Sequence, residues 1–179
     1  MWQNMFFDKS TGTIDHIDTW YLDTNPMGNL FGAWVALENI DGEGGVFHVY
    51  PKSHLSSNKE WMNTSHKEFI AWSKKESQNY EKKPIYLQQG DLLLWHPSLI
   101  HGSSLQNKKG ASRKSLTAHY HPINLLRGKG GLKNLDPSEY KSKIKTQTKL
   151  MRSYGYPIYS RASKREILKF ATIGIVKHF

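Results

Sequence analysis

The sequence of 179 residues contains no cysteine, which excludes disulfide bonds and thiolate metal sites. A metal bound by this protein must therefore be held by histidine and carboxylate side chains. The sequence also lacks a long apolar run and a basic leader followed by an apolar stretch, so neither a membrane span nor a signal peptide is predicted. The expectation is a soluble, cytoplasmic protein.

Acidic residues are scarce in one part of the chain only. Residues 1–124 hold 12 Lys/Arg and 12 Asp/Glu, whereas residues 125–179 hold 13 Lys/Arg and 3 Asp/Glu. The whole net charge of +10 therefore lies after residue 124. A localised positive field attracts anions such as nucleic acid, acidic lipid or a phosphorylated substrate. The plainer interpretation is a solvated, lysine-rich helical surface.

Short apolar or alternating runs, separated by glycine-rich turns, predict a mostly β fold. Eight strands are expected, in residues 2–7, 13–20, 30–37, 46–50, 85–87, 91–95, 100–103 and 114–121. This number of short strands fits a double-stranded β-helix, the jelly-roll form in which two sheets close on a pocket. The length allows one such domain with a substantial core.

Helical signals occur within and after the predicted strands. Ser65-His-Lys-Glu68 has the spacing of a capping box and predicts an inserted helix. Asp136-Pro-Ser-Glu139 and Ser163-Lys-Arg-Glu166 predict basic amphipathic helices near the end of the chain. The expected organisation is a β core in residues 1–124 and a basic helical extension, residues 125–179, packed on that core.

The pair His16 and Asp18 carries the strongest chemical signal. In a strand these two side chains leave on the same face, while Ile17 turns the other way into apolar packing. An imidazole beside a carboxylate supplies two ligands of a 2-His-1-carboxylate triad, which holds Fe(II) and leaves positions open. A lone His-x-Asp pair also occurs by chance on surface strands. A further histidine, His101, follows a strongly apolar strand, and Arg113 comes twelve residues later.

Other histidines compete for the same role. His119 and His121 are also two residues apart and could form a rival pair, although no carboxylate lies near them in sequence. His96 precedes a proline, and we expect it to be a hydrogen-bonded structural residue. His48 and His54 flank a turn and match no ligand pattern.

The chain resembles the phytanoyl-CoA dioxygenase family of Fe(II)- and 2-oxoglutarate-dependent oxygenases. Six co-linear stretches within residues 2–122 carry the resemblance: residues 3–7, 16–21, 32–38, 44–54, 96–103 and 113–120. The resemblance implies a double-stranded β-helix that binds Fe(II), 2-oxoglutarate and O2. It also implies hydroxylation of a small organic substrate with release of succinate and CO2. The aspartate in the His-x-Asp pair favours hydroxylation over halogenation.

The resemblance also implies a role for seven residues. The iron ligands would be His16, Asp18 and His101. Arg113 would pair with the distal carboxylate of 2-oxoglutarate, to which a guanidinium fork is suited. The cosubstrate would also contact Trp34, Ser103 and Met5. The interval from His101 to Arg113 is one residue longer than is common in the family, so the alternatives are that Lys114 has this role or that neither residue has it.

Some questions stay open at this level. Family members usually carry a long region before the first matching strand, so the expectation is either a compact variant or a fragment. A jelly roll that binds a ligand or glycan without catalysis would not need Arg113. A nucleic-acid-binding protein would act through the basic residues 125–179, although no specific nucleic acid is expected. The expected partner is a small molecule, anionic if the basic segment recruits it, and its identity cannot be read from the residues.

Overall fold

The computed structural model describes residues 3–122 and 125–127. The helices predicted within residues 125–179 lie outside the described residues, and so does the proposed boundary at residue 124. The strands are β1 Gln3–Phe7, β2 Thr11–His16, β3 Thr24–Asn25, β4 Phe31–Ala36, β5 Phe47–Val49, β6 Lys83–Ile85, β7 Leu92–Trp95, β8 His101–Leu105, β9 Ser115–Tyr120 and β10 Leu126–Arg127. The helices are α1 Asp18–Tyr21 and α2 His66–Ser77, with a 3₁₀ turn at Ser53–Leu55.

Two four-stranded antiparallel sheets form the core of the fold. One has the strand order β1-β9-β4-β7 and the other the order β2-β8-β5-β6, while β3 and β10 form a small separate ladder. Neighbours in each large sheet are distant in sequence, which is the crossover pattern of a jelly roll. The predicted double-stranded β-helix and all eight predicted strands are therefore present, and β3 and β10 are additional.

Aromatic side chains from both large sheets pack against one another in the space between the sheets. Trp34 and Trp95, from the first sheet, are 1% and 5% exposed. Phe47, from the second sheet, lies 5.2 Å from the ring of Trp34 and 5.3 Å from that of Trp95, between ring centroids. Stacked and tilted aromatic pairs at this separation contribute beyond the area they bury. The three rings also line the cavity between the two sheets.

Helix α2 is the inserted helix that the capping box predicts. The Ser65 backbone N–H donates to Glu68 Oε2 at 2.8 Å, and the Glu68 N–H donates to Ser65 Oγ at 3.4 Å. Its apolar side packs in a buried cluster that includes Phe69, Ile17 and Ile100. The helix therefore lies behind the strands that carry His16 and His101. No helix among the described residues is long and apolar enough to span a membrane.

Candidate metal and cosubstrate site

A cavity of about 860 Å³ lies between the two large sheets. Its volume is within the range of small-molecule sites. All seven residues to which the family resemblance gave a role line this cavity: Met5, His16, Asp18, Trp34, His101, Ser103 and Arg113. They come from both sheets and from the start of α1, so only the folded chain brings them together.

His16 is the last residue of β2, and Asp18 is the first residue of α1. The expectation that Asp18 lies in a strand is therefore wrong. Ile17 between them keeps an extended conformation, with φ −114° and ψ 142°, so the alternation of side chains still holds over these three residues. Ile17 is 2% exposed and packs in the core, as predicted. Strand β2 therefore ends at His16, and helix α1 begins at Asp18, after one extended residue.

His101 begins β8 and is the direct cross-strand partner of His16. The His16 and His101 ring centroids are 4.3 Å apart. His16 Nε2 and His101 Nε2 each lie 3.7 Å from Asp18 Oδ1. All three potential ligand atoms lie within 4.8 Å of one another. Among the described residues, this is the one group of three or more His, Asp, Glu or Cys side chains with such convergence.

Backbone carbonyls determine which nitrogen of each imidazole faces the centre. Nδ1 of His16 lies 2.8 Å from the carbonyl oxygen of Ile14, and Nδ1 of His101 lies 2.9 Å from that of Leu99. A carbonyl oxygen only accepts, so Nδ1 carries the proton in both rings and Nε2 presents its lone pair. Two nitrogen lone pairs and a carboxylate oxygen then face the same point. A divalent cation bound at this point would offset the repulsion between these electron-rich atoms. The donor set of two imidazoles and one carboxylate fits Fe(II).

The protonation states agree with this donor set. Burial lowers the pKa of His101 to about 4, although Asp18 opposes the shift, so this imidazole is neutral near pH 7. Burial alone would raise the pKa of Asp18. The neighbouring His101, His119 and His16 outweigh burial and hold the pKa of Asp18 below its ordinary value. Metal ligation requires this combination of neutral imidazole and ionised carboxylate.

Arg113 lies just before β9 and is 5% exposed. Its Nε and Nη1 are buried and have no hydrogen-bond partner among the described residues. Its guanidinium carbon lies 5.6 Å from the centroid of the Trp34 ring. Burial lowers the pKa of Arg113, but a guanidinium stays charged near neutral pH. A buried cation with unused donors costs free energy unless an anion joins it, so this corner of the cavity is suited to a carboxylate.

Lys114 does not line the cavity, and its side chain is exposed. Its backbone N–H donates to Glu38 Oε1 at 2.7 Å. The longer interval between His101 and Arg113 is taken up by the loop that precedes β9, so it does not shift the register of that strand. This placement favours Arg113 over Lys114 for the anion-binding role.

Ser103 and Met5 lie on the cavity wall with different surroundings. The Ser103 hydroxyl donates to Thr13 Oγ1 at 3.2 Å, across the β2–β8 pair. Met5 belongs to β1 and is the cross-strand partner of Thr117, which also lines the cavity. Both residues line the same cavity as Arg113, His16 and His101, and their contact with the cosubstrate stays a prediction.

His119 is the residue that sequence reasoning did not assign to the site. It is 4% exposed, lines the cavity, and places Nε2 3.4 Å from Asp18 Oδ2. The alternation of side chains along a strand could have identified it. His119 lies six positions after Arg113, so an extended chain places both side chains on the same face. His121 is exposed to a greater degree and does not line the cavity, so the rival His119–His121 pair does not form a site.

Two further histidines, His48 and His96, have hydrogen-bonded surroundings outside the cavity. His48 Nε2 and Tyr50 Oη both bind the carboxylate of Asp15, at 2.5 and 2.6 Å, on the side of β2 away from the cavity. His96 is exposed, and its Nδ1 accepts the Ser98 N–H at 3.1 Å. The expectation that His96 is a hydrogen-bonded structural residue agrees with this contact.

A family model described as phytanoyl-CoA dioxygenase (PhyH) matches residues 1–115. The chain belongs to the phytanoyl-CoA dioxygenase family. Over 110 residues it is 32% identical to the human peroxisomal phytanoyl-CoA dioxygenase, a match that covers 59% of this chain and 32% of that protein. Over 130 residues it is 31% identical to the zebrafish phytanoyl-CoA dioxygenase domain-containing protein 1, covering 65% of this chain and 43% of that protein. The chain thus spans about a third of the length of the human relative.

Two of the solved structures that resemble this chain share its fold over about three quarters of its length. The non-heme alpha-ketoglutarate-dependent carbocyclase SnoK matches with a TM-score of 0.61 at 20% identity, over 75% of this chain and 57% of that one. EctD from S. alaskensis matches with a TM-score of 0.52 at 17% identity, over 74% of this chain and 48% of that one. At this identity the likeness concerns the fold, and it confirms the double-stranded β-helix.

Proposed function

We propose that this chain is the metal-bearing core of an Fe(II)- and 2-oxoglutarate-dependent dioxygenase that hydroxylates a small organic substrate. The observation that carries the proposal is the convergence of His16 Nε2, Asp18 Oδ1 and His101 Nε2 within 4.8 Å. Family membership supports the same conclusion. The whole reaction is substrate, 2-oxoglutarate and O2 giving hydroxylated substrate, succinate and CO2, so one oxygen atom enters the substrate and the other enters succinate.

The protein's own part in this reaction is to bind, orient and exclude water. His16, Asp18 and His101 would hold iron on one face and leave the other positions for ligands. Bound iron, with 2-oxoglutarate, would supply the oxidative chemistry. The unpaired donors of Arg113 would orient the distal carboxylate of the cosubstrate. The apolar rings of Trp34 and Phe47 line the same cavity and would limit the access of water to a bound cosubstrate.

A non-catalytic jelly roll that binds a ligand or glycan is the second candidate. It would use the cavity, but a neutral ligand or glycan would leave the buried donors of Arg113 without an anionic partner, which costs free energy. The free Nε and Nη1 of Arg113 therefore favour the oxygenase. The nucleic-acid alternative depends on residues 125–179, which lie outside the described residues. We retain the basic charge of that segment as the basis for an anionic small-molecule substrate.

The decisive experiment measures metal binding and succinate formation on the same protein. Wild type should bind one equivalent of Fe(II), or of Co(II) as a substitute that does not react with oxygen. With Fe(II), 2-oxoglutarate and air it should form succinate slowly even without substrate. Asp18→Ala should abolish both, because two neutral imidazoles alone hold a divalent cation weakly.

His96→Ala is the matched control, since it removes an exposed histidine outside the cavity and should leave both measurements unchanged. Circular dichroism of the metal-free proteins would check that each variant is folded. Metal binding by wild type without succinate formation would favour the ligand-binding module. Absence of metal binding by folded wild type would refute the proposal.

A further inference from the structure

Three residues form one row across the first sheet, on the face that lines the cavity. Gly32 on β4 is the direct partner of Trp95 on β7 and, on its other side, of His119 on β9. Directly opposed residues in antiparallel strands point to the same face. Trp95 and His119 therefore flank a position that has no side chain, and both reach the same point in the cavity.

Gly32 is required by the position of the Trp95 ring. A Cβ atom at residue 32 would lie 2.1, 2.2 and 2.7 Å from three atoms of the indole, which is closer than carbon atoms can approach. The indole thus lies directly over the backbone of β4. A glycine inside a strand often marks such a close approach.

Trp95 and His119 both lie near Asp18 Oδ2, the carboxylate oxygen that does not face His16 and His101. Trp95 Nε1–H donates to Asp18 Oδ2 at 2.8 Å, and His119 Nε2 lies 3.4 Å from the same oxygen. Asp18 Oδ1, in contrast, faces the Nε2 atoms of His16 and His101. The carboxylate is divided, with one oxygen towards each pair of side chains.

The ring nitrogens of His119 have no other hydrogen-bond partner within the described part of the chain. Neither nitrogen has a well-formed hydrogen bond there, although both are buried. Asp18 and Trp95 are also buried, at 4% and 5% exposure, so water does not compete for Oδ2. A buried, unpartnered imidazole beside a buried carboxylate oxygen is placed to complete the set of donors to that oxygen.

We propose that Trp95, Gly32 and His119 form a positioning row that holds Oδ2 of Asp18 and so makes Asp18 a one-oxygen metal ligand. This inference rests on the proposed function, because it assumes that His16, Asp18 and His101 bind the metal. If Oδ2 were released, the carboxylate could rotate and bind through both oxygens, which would occupy a position that the cosubstrate or O2 needs. Trp95 and His119 are positioning residues, since they act through Asp18.

The test uses Co(II), whose visible absorption reports the number and geometry of its ligands. Trp95→Phe keeps the aromatic ring and removes the donor, and His119→Leu removes the imidazole at similar volume. Each should weaken Co(II) affinity by about 10–100-fold, the usual effect of removing a hydrogen-bond partner of a metal ligand, and should change the Co(II) spectrum. His119→Gln, which restores an N–H donor, should recover most of the affinity.

Two further variants complete the design. Leu94→Ala, next to Trp95 but exposed on the opposite face, should match wild type in affinity and spectrum. Gly32→Ala should reproduce the spectral change of Trp95→Phe, because the new methyl group displaces the indole. Thermal unfolding of the metal-free proteins identifies any variant that fails to fold, and Trp95→Phe tests the inference if Gly32→Ala fails.

The outcomes separate this inference from the proposed function. If wild type binds Co(II) and folded Trp95→Phe and His119→Leu bind it with the same affinity and spectrum, the positioning row is refuted and the proposed function stands. If Co(II) affinity falls in these variants but the Co(II) spectrum does not change, the claim that Trp95 and His119 keep Asp18 a one-oxygen ligand is refuted. If folded wild type binds no Co(II), the proposed function fails and this inference fails with it.

Discussion

The two faces of the β1-β9-β4-β7 sheet differ in the exposure and the polarity of their side chains. The face towards the cavity is buried and partly polar, with Ser115, Thr117 and His119 at 0%, 8% and 4% exposure. The other face is apolar and exposed. Its exposed side chains are Phe6, Phe31, Leu92, Leu94, Leu116 and Tyr120, at 62%, 42%, 55%, 56%, 38% and 36%. An antiparallel sheet usually places apolar residues towards the core and polar residues towards water.

The difference shows what each face is used for. Polar groups on the inner face are retained because they surround the candidate site, where Arg113 and His119 keep unused donors. The outer face is apolar like a core face, and it lines a groove that includes Leu92, Leu94 and Leu116. Large exposed apolar patches are typical of surfaces that are covered in an assembly or in a longer chain. The comparison predicts that substitutions on the two faces will have very different effects.

Trp34→Ala on the inner face should have the largest effect on stability. The side chain is 1% exposed and packs against Phe47, so its loss should lower the free energy of unfolding by about 3–5 kcal/mol. Phe31→Ala, on the same strand but the outer face, is the control. Phe31 stacks on Tyr120 near the surface, so its loss should cost below about 1 kcal/mol. Denaturant unfolding of both variants tests the difference, and equal losses would contradict the contrast between faces.

Arg113→Leu should have the next largest effect, on the binding of 2-oxoglutarate. Removing one member of a buried charged pair costs about 2–5 kcal/mol, so affinity should fall at least about thirtyfold while Co(II) still binds. Lys114→Gln is the control and should bind 2-oxoglutarate as wild type does, because Lys114 points away from the cavity. Calorimetric titration of the Co(II)-loaded proteins measures both. Loss of 2-oxoglutarate affinity in Lys114→Gln alone would show that Lys114, and not Arg113, has the anion-binding role.

Leu94→Gln on the outer face should have the smallest effect. The side chain is 56% exposed, and substitutions at exposed positions usually change the free energy of unfolding by no more than about 0.5 kcal/mol. The measurement is the denaturant midpoint of this variant against wild type. A loss well above that value would show that Leu94 is buried in the protein as it exists in solution, by a further part of the chain or by a partner.

Local patterns in the sequence predicted much of this architecture. The capping box at Ser65 and Glu68 predicted the start of α2, because its hydrogen bonds join residues only three apart. The alternation through His16, Ile17 and Asp18 predicted which side chains share a face, even though the strand ends at His16. The absence of cysteine limited any metal site to imidazoles and carboxylates. These inferences needed no knowledge of the distant parts of the chain.

Strand register was decided by the tertiary structure alone. The pairing of His16 with His101, and of Gly32 with both Trp95 and His119, joins residues 63 to 87 positions apart. Parity could place His119 on the same face as Arg113, but only the fold brings it to Asp18 Oδ2. Likewise, the sequence indicated that Asp18 could bind a metal, whereas only packing divides its two oxygens between the histidines and Trp95. Long-range hydrogen-bond register and close packing depend on all strands at once, so no local pattern contains them.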